Sequence, residues 1–351
     1  MCALMLISKE KNRFSPVDDV KVSLGQFQTT GASWLTNHVR TFISSQTPSL
    51  LYDPFAGEGS LLRYAAEQLS LDVKGLDIDA STGWPVNDSL RHIPRCPGAV
   101  IVTNPPYLAK HSAKRKRVHD AVADHYTQRD DLYQLALDRC LAACPAVVAI
   151  VPETIINSDY PKTYITSITI LENNPFSDTD CPVCVVCMDK MRSGTSLGPS
   201  VFLGDKELGP LSDLERQRLH PRKDITIEFN VKTGRIALRA VDLPSPAKPI
   251  RFMRREECDY PVDMIKVSSR LVTFIDIPSV DDGHIDQIIF EANSLLARFR
   301  TDTGDVLISP FKGNTKEGKR RRRLDYYTAR AILERACGTS KQEPLLFPDL
   351  S

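Results

Sequence analysis

Asn104-Pro105-Pro106-Tyr107 closes an apolar run, Ala99-Val100-Ile101-Val102, and is the group of residues in this chain best equipped for chemistry. An exocyclic amine on a heteroaromatic ring is a poor nucleophile because its lone pair is delocalised into the ring. Two oxygens aimed at its hydrogens favour a pyramidal nitrogen with a localised lone pair, by preorganised electrostatics. The Asn104 side-chain oxygen and the Pro105 carbonyl can supply them. Tyr107 offers an aromatic face for a planar base, which would have to leave a duplex to reach it. Prolines 105 and 106 stiffen the turn. The plainer alternative is a strand, a Pro-Pro turn and a packed tyrosine.

A second constellation lies upstream. Asp53-Pro54-Phe55-Ala56-Gly57-Glu58-Gly59 follows a β-like run and precedes a helical stretch. Small residues there let backbone approach a ligand closely. Asp77, in Gly75-Leu76-Asp77-Ile78-Asp79, lies twenty residues after Gly57, where a carboxylate can accept both hydroxyls of a ribose. Asp88, in Asn87-Asp88-Ser89, can accept from an adenine amino group. Both acids also suit loop or cap positions. The run lacks the lysine of a phosphate loop. Asp53 and Glu58 would repel a pyrophosphate, so a cationic, phosphate-free cofactor fits better. S-adenosylmethionine, with its ammonium and sulfonium, is such a molecule.

The two motifs, in this order, resemble the cofactor and catalytic motifs of amino-directed DNA methyltransferases, in particular the N6-adenine group. Leu24-Gly25-Gln26-Phe27-Gln28-Thr29-Thr30 resembles that family's additional cofactor motif, and its place before Asp53 is similar to the gamma-class order. Members often have Thr-Pro where this chain has Thr29-Thr30. Asp131-Leu132-Tyr133 and Val151-Pro152-Glu153-Thr154 also look like family landmarks. The likeness covers about residues 21–190. It implies that Thr29 and the backbone of residues 25–27 hold the methionine moiety, that Phe55 lines the adenosine pocket, and that Tyr160 forms a second wall around the extruded base. A loop tyrosine beside Pro161 is the other reading of Tyr160.

Charge is local. The formal net charge is +1, so any polyanion surface must come from clusters. His111-Ser112-Ala113-Lys114-Arg115-Lys116-Arg117 follows the Asn104 motif directly and is expected to be a cationic loop gripping phosphates. Lys319-Arg320-Arg321-Arg322-Arg323 is expected to face DNA from the other half of the chain. A solvated face or a localisation signal has the same composition. Cys181-Pro182-Val183-Cys184-Val185-Val186-Cys187 has one Cys-x-x-Cys and no second pair. An apolar strand with cysteines as small hydrophobes is expected there, and no metal.

The elements that must position these residues are legible in outline. Residues 50–52, 73–78, 99–103 and 146–151 are β-like, separated by helical stretches at 60–71 and 130–143. Such alternation predicts a mostly parallel, Rossmann-like α/β sheet covered on both faces. Residues 192–210 are rich in Gly, Ser and Pro and read as a linker or long loop. Beyond them, β-like pieces at 225–231, 235–240 and 265–277 and helical stretches at 286–298 and 326–337 predict an α+β unit. The expected division is a catalytic domain over 1–195 and a target-recognition domain over 196–351. With 42% apolar residues and no apolar run of bilayer length, the composition excludes a helical membrane span. The nine cysteines read as reduced thiols of a cytoplasmic protein.

The expected activity is methyl transfer from S-adenosylmethionine to adenine N6 in double-stranded DNA, with a cognate restriction endonuclease as a possible partner. RNA bases and protein glutamines are the alternative substrates. A non-catalytic nucleic-acid-binding subunit is the reading from another class.

Overall fold

The computed structural model describes residue 29 and residues 32–116, 119–176, 181–192, 198–243, 248–266, 271–311 and 320–340. Two layers of chemistry-bearing sequence resolve into one large sheet and one small one. The large sheet has eight strands: β1 (Leu50–Asp53), β2 (Asp72–Gly75), β3 (Ala99–Thr103), β4 (Ala146–Pro152), β5 (Ile165–Ile170), β6 (Val183–Asp189), β7 (Ser200–Leu203) and β8 (Lys206–Pro210). Their order is β2-β1-β3-β4-β6-β5-β7-β8. The pairs β1–β2, β1–β3 and β3–β4 are parallel, and β6 runs antiparallel between β4 and β5. The fold is therefore Rossmann-like α/β with a mixed flank.

Strand β4 shows why both faces are covered. Val147, Ala149 and Val151 enter one core, while Ala146, Val148 and Ile150 enter the other. Successive side chains on a strand point to opposite faces, so a fully apolar strand must be packed twice. Helix α1 (Asn37–Ser45) and helix α2 (Ser60–Leu69) cover one face with Val39, Ile43, Leu61, Leu62 and Ala65. After the short helix α3 (Lys110–Lys116), helix α4 (Leu132–Ala143) covers the other with Tyr133, Leu137, Cys140 and Leu141. The cysteine-rich run is β6, buried along its whole length, and burial pushes its thiols up, Cys187 to about 12.

Residues 198–210, expected as linker, form the hairpin β7–β8 on the edge of this sheet, followed by helix α5 (Leu211–Arg216). The hairpin turns at Gly204, and the apolar pair Val201 and Phe202 is buried, which overrides the loop-like composition. The large sheet thus runs past residue 196. A separate core begins at Ile227. There β9 (Glu228–Phe229), β10 (Ile236–Arg239), β11 (Arg251–Arg254) and β12 (Val272–Asp276) form an antiparallel sheet of order β11-β10-β12-β9. Helices α6 (Ile285–Thr303) and α7 (Tyr326–Ser340) pack on one face of it through Ile288, Leu296, Ile332 and Leu333.

The two cores meet at a small ladder, β13 (Ser309–Pro310) with β14 (Arg322–Arg323). Here the structure corrects the sequence reading. Arg320 and Arg322, expected on a DNA-facing loop, both donate to Oε1 of Glu153 just after β4, at 2.8 Å and 2.6 Å. Arg322 has no exposed surface. Arg321 stacks on Phe311 and donates to the Asp242 carbonyl. A buried carboxylate outcompetes water for guanidinium groups that the fold brings to it. No helix among the described residues is long and apolar enough to cross a membrane.

Candidate active site

Strand β1 has β2 on one side and β3 on the other, so the chain reverses its direction of sheet growth there. In open α/β sheets such a reversal leaves a crevice outside the carboxyl ends of the strands. Asp53 ends β1, Asp77 follows β2 and Asn104 follows β3. The three residues drawn from sequence as two half-sites therefore share one edge of one sheet.

Hydrogen bonds tie that edge together. Asp53 is buried, and its Oδ1 accepts from the Phe55 N–H at 2.9 Å and from the Thr103 hydroxyl at 2.6 Å. Thr103 is the last residue of β3, so this bond fixes the start of the Asn104 turn against the start of the glycine turn. Burial pushes the Asp53 carboxyl up to about 7, Thr103 and Phe55 oppose this, and Asp77 adds to it. The Asp77 carboxylate accepts from the Gly57 N–H at 2.7 Å and from the Asp79 N–H at 2.8 Å. Each carboxylate oxygen has a second lone pair for a ligand hydroxyl. Gly57 sits at φ +53° with nothing near the position a Cβ would take. That open cradle beside the Asp77 carboxylate fits a cationic, sugar-bearing ligand such as S-adenosylmethionine.

The second half-site is equally constrained. Pro105 and Pro106 are buried. The Tyr107 hydroxyl donates to Asn104 Oδ1 and lies 2.8 Å from the Ile150 carbonyl of β4. Its ring meets Tyr133 and Phe176 edge-on, at centroid distances of 6.4 Å and 6.2 Å. Burial holds its phenol well above the usual range. Asn104 Nδ2 donates to Thr29 Oγ1 at 3.3 Å, so the one described residue of the upstream motif stands beside the Asn104 amide. The rest of residues 24–30 lies outside the described residues.

Other expected site residues sit differently. Asp88 accepts from the Leu90 N–H at 3.2 Å and pairs with Arg91 at 3.0 Å, closing its own turn on the rim beyond Asp77. Phe55 is partly buried and packs into the α4-side core. Tyr160 is a correction: it is 3% exposed, its hydroxyl donates to Asp138 on α4 at 3.1 Å, and Arg129 covers its ring. The carboxylate draws it into the core, so it walls no base pocket. The expected cationic loop is helix α3, which exposes Lys114 and Arg115; Arg117 lies outside the described residues. No group of His, Cys, Asp or Glu among the described residues is placed to hold a metal ion.

Two contributors were not foreseen. Thr103 is one, legible only once β1 and β3 are neighbours. Trp84 is the other. Its indole N–H donates to the Gly57 carbonyl at 3.0 Å, and its ring lies where Cβ atoms on Gly59 and Gly75 would be, at 2.8 Å and 2.6 Å. These glycines thus admit an indole as much as a ligand. A tryptophan in a stretch of polar and turn residues, one of two in the chain, was the available signal. Ile78, next after Asp77, and Val86, the bridge partner of Asp77, stand exposed.

No protein-family model and no curated protein matches the chain. Solved structures with matching folds include a type I restriction-modification system methyltransferase subunit from Streptococcus thermophilus. It is 19% identical, with 48% of this chain and 46% of that chain covered, at a TM-score of 0.35. This chain thus spans about half the length of that protein. The type I restriction enzyme EcoKI M protein is 13% identical over 89% of this chain and 70% of its own, at a TM-score of 0.36. The M1A22 tRNA methyltransferase TrmK of B. subtilis is 13% identical over 44% and 66%, at 0.24. At these values the likenesses add nothing to what the site's geometry says about chemistry.

Two outcomes are expected. A raised carboxyl pKa means that the folded chain keeps a proton which the unfolded chain has released, so the stability from neutral Asp53 is complete below about pH 4 and lost as pH rises through about 7. Asp53→Asn keeps the acceptor oxygen and cannot ionise. Its thermal midpoint should gain on the parent's between pH 5 and pH 8, by an equivalent of roughly 2–4 kcal/mol. A gap that does not change with pH would show that Asp53 is ionised throughout. Gly59→Ala should lower the melting temperature and raise Trp84 fluorescence exposure, because φ +77° and the indole both oppose a Cβ; an unchanged spectrum would contradict this packing.

Proposed function

We propose that the chain is an S-adenosylmethionine-dependent DNA methyltransferase acting on adenine N6 of an extruded base, within a restriction–modification system and with a cognate endonuclease as partner. The observation that carries the reading is the convergence of Asp53, Gly57, Asp77 and Asn104 at the carboxyl ends of three adjacent parallel strands. The restriction–modification setting rests on the motif order alone.

When bound, the cofactor supplies a methyl group on a sulfonium. Asp77 takes the ribose hydroxyls on its remaining lone pairs, and the Gly57 turn leaves room for the methionine part. Ile78 and Val86 give an apolar clamp for a purine ring. Thr29, beside the Asn104 amide, would hold the methionine moiety. Asn104 Oδ1 and the Pro105 carbonyl accept from the two hydrogens of the target amine, which localises the lone pair on nitrogen. That lone pair would take the methyl group from the bound cofactor, which leaves as the neutral thioether, and the amine would give up one proton to solvent. Tyr107 presents a ring face for the base. Its hydroxyl, anchored on Ile150 and Asn104, prevents rotation of both groups.

Lys114 and Arg115 on α3 supply phosphate contacts next to the Asn104 turn. Arg320, Arg321 and Arg322 are withdrawn from that role by their internal partners. The residues from 227 onward form the unit that reads the target.

Asn104→Ala removes the acceptor and leaves the Gly57–Asp77 half-site intact. Transfer to plasmid DNA, followed with radiolabelled cofactor, should fall by roughly 10²-fold or more. Cofactor affinity by calorimetry should fall by no more than about fivefold, since what the variant loses on that side is the neutral Asn104–Thr29 hydrogen bond, worth about 1 kcal/mol. N6-methyladenine made at the parent rate would refute the role of Asn104. Label appearing in RNA or in protein glutamine, and not in DNA, would move the substrate class.

A further inference from the structure

Glu153 is 2% exposed and Arg322 has no exposed surface, yet among the described residues the Nε and Nη1 atoms of Arg322 and the Nε of Arg320 meet no hydrogen-bond partner. Burial raises the Glu153 carboxyl, and Arg322 opposes that most strongly. One carboxylate thus serves two guanidinium groups in a buried junction. As a source of stability this is a poor arrangement, since apolar residues of the same volume would do as well or better. What such a triad gives is a single docking geometry, fixed by a planar fork on one oxygen.

That geometry is transmitted to the reaction edge. Glu153 follows Pro152, the last residue of β4, and its N–H donates to the Pro182 carbonyl at 2.9 Å. Two residues before Pro152, the Ile150 carbonyl lies 2.8 Å from the Tyr107 hydroxyl. Tyr133 on helix α4 meets the Tyr107 ring edge-on, at a centroid distance of 6.4 Å. Asn157 donates to the carbonyl of Val306, whose side chain enters the first core, at 3.3 Å, and Arg218 holds Asn157 at 3.0 Å. On the far side, Asp242 accepts from the Arg322 N–H and pairs with Arg300, which also holds Asp305. A continuous polar and aromatic path therefore joins the second core to Tyr107.

We infer that Glu153 is a positioning residue: its grip on Arg320 and Arg322 sets the end of β4 and, through Tyr107, the Asn104 turn, so that the second unit governs the geometry of the reacting edge. As a role in catalysis this rests on the proposed function; as a mechanical coupling it does not.

The test measures both on the full chain. Glu153→Gln keeps an acceptor and removes the charge. A control, Ile332→Val, trims the second core away from the triad. Hydrogen exchange should quicken by roughly tenfold at residues 104–108 and 153–157 in Glu153→Gln and stay unchanged there in the control. In DNA methylation, kcat should fall by roughly tenfold or more with the cofactor KM unchanged. Arg322→Lys keeps the charge and loses the fork, and carries the same two readouts if Glu153→Gln does not fold. Unaltered exchange at residues 104–108 in a folded variant overturns the inference. Equal quickening in the control does the same, because it would mark general loosening. A parent chain that methylates no DNA, with exchange responding as stated, would sink the proposed function and leave the coupling standing.

Discussion

The hydrogen bond from Thr103 to Asp53 is the constraint on which the rest of the site depends. It joins the last residues of two neighbouring parallel strands inside the protein, where the carboxyl cannot be solvated. A buried acceptor left without its donor costs about 1–3 kcal/mol, so the two strand ends are held in one register. The glycine turn hangs from β1 and the Asn104 turn from β3, each beginning at this bond. Asp77 then closes the glycine turn from the β2 side, and Tyr107 closes the Asn104 turn from the β4 side. Four strands each contribute one polar anchor to a site roughly three strand spacings across, on the order of 15 Å. That is the scale of a cofactor meeting a base.

The residues between these anchors show what the glycines are for. Gly57 leaves open space, while Gly59 and Gly75 are filled by the Trp84 ring. The indole therefore acts as a fixed wall, hung from the Gly57 carbonyl. Small residues in this turn thus leave space on one side and admit a side chain on the other.

Much of the first sheet was legible because its strands are apolar without alternation and stand between helices of ordinary period. β1, β3 and β4 needed nothing else. Asp53, Asp77 and Asn104 were legible because side-chain chemistry and spacing are local properties. Thr103 and Trp84 were not, since their roles exist only after strand order is known. The β7–β8 hairpin was hidden by a composition of Gly, Ser and Pro that suits an edge hairpin as well as a linker. The basic run at 320–323 misled for a related reason. A cluster of arginines states charge and says nothing of where its counter-charge lies, and Glu153 is 167 residues from Arg320. Tyr160 failed in the same way, drawn inward by Asp138. Long-range pairing of charged and polar groups is the part of this structure that local pattern could not give.

The most direct measurement is calorimetric titration of S-adenosylmethionine into the parent chain and into Asp77→Asn. With Asp77 as the ribose acceptor, the parent should bind one equivalent and the variant should bind roughly 10–100-fold more weakly, the loss expected for hydrogen bonds to a charged group. Equal affinity in the two proteins, or no binding by the parent, would contradict the assignment of this sheet edge to a cofactor.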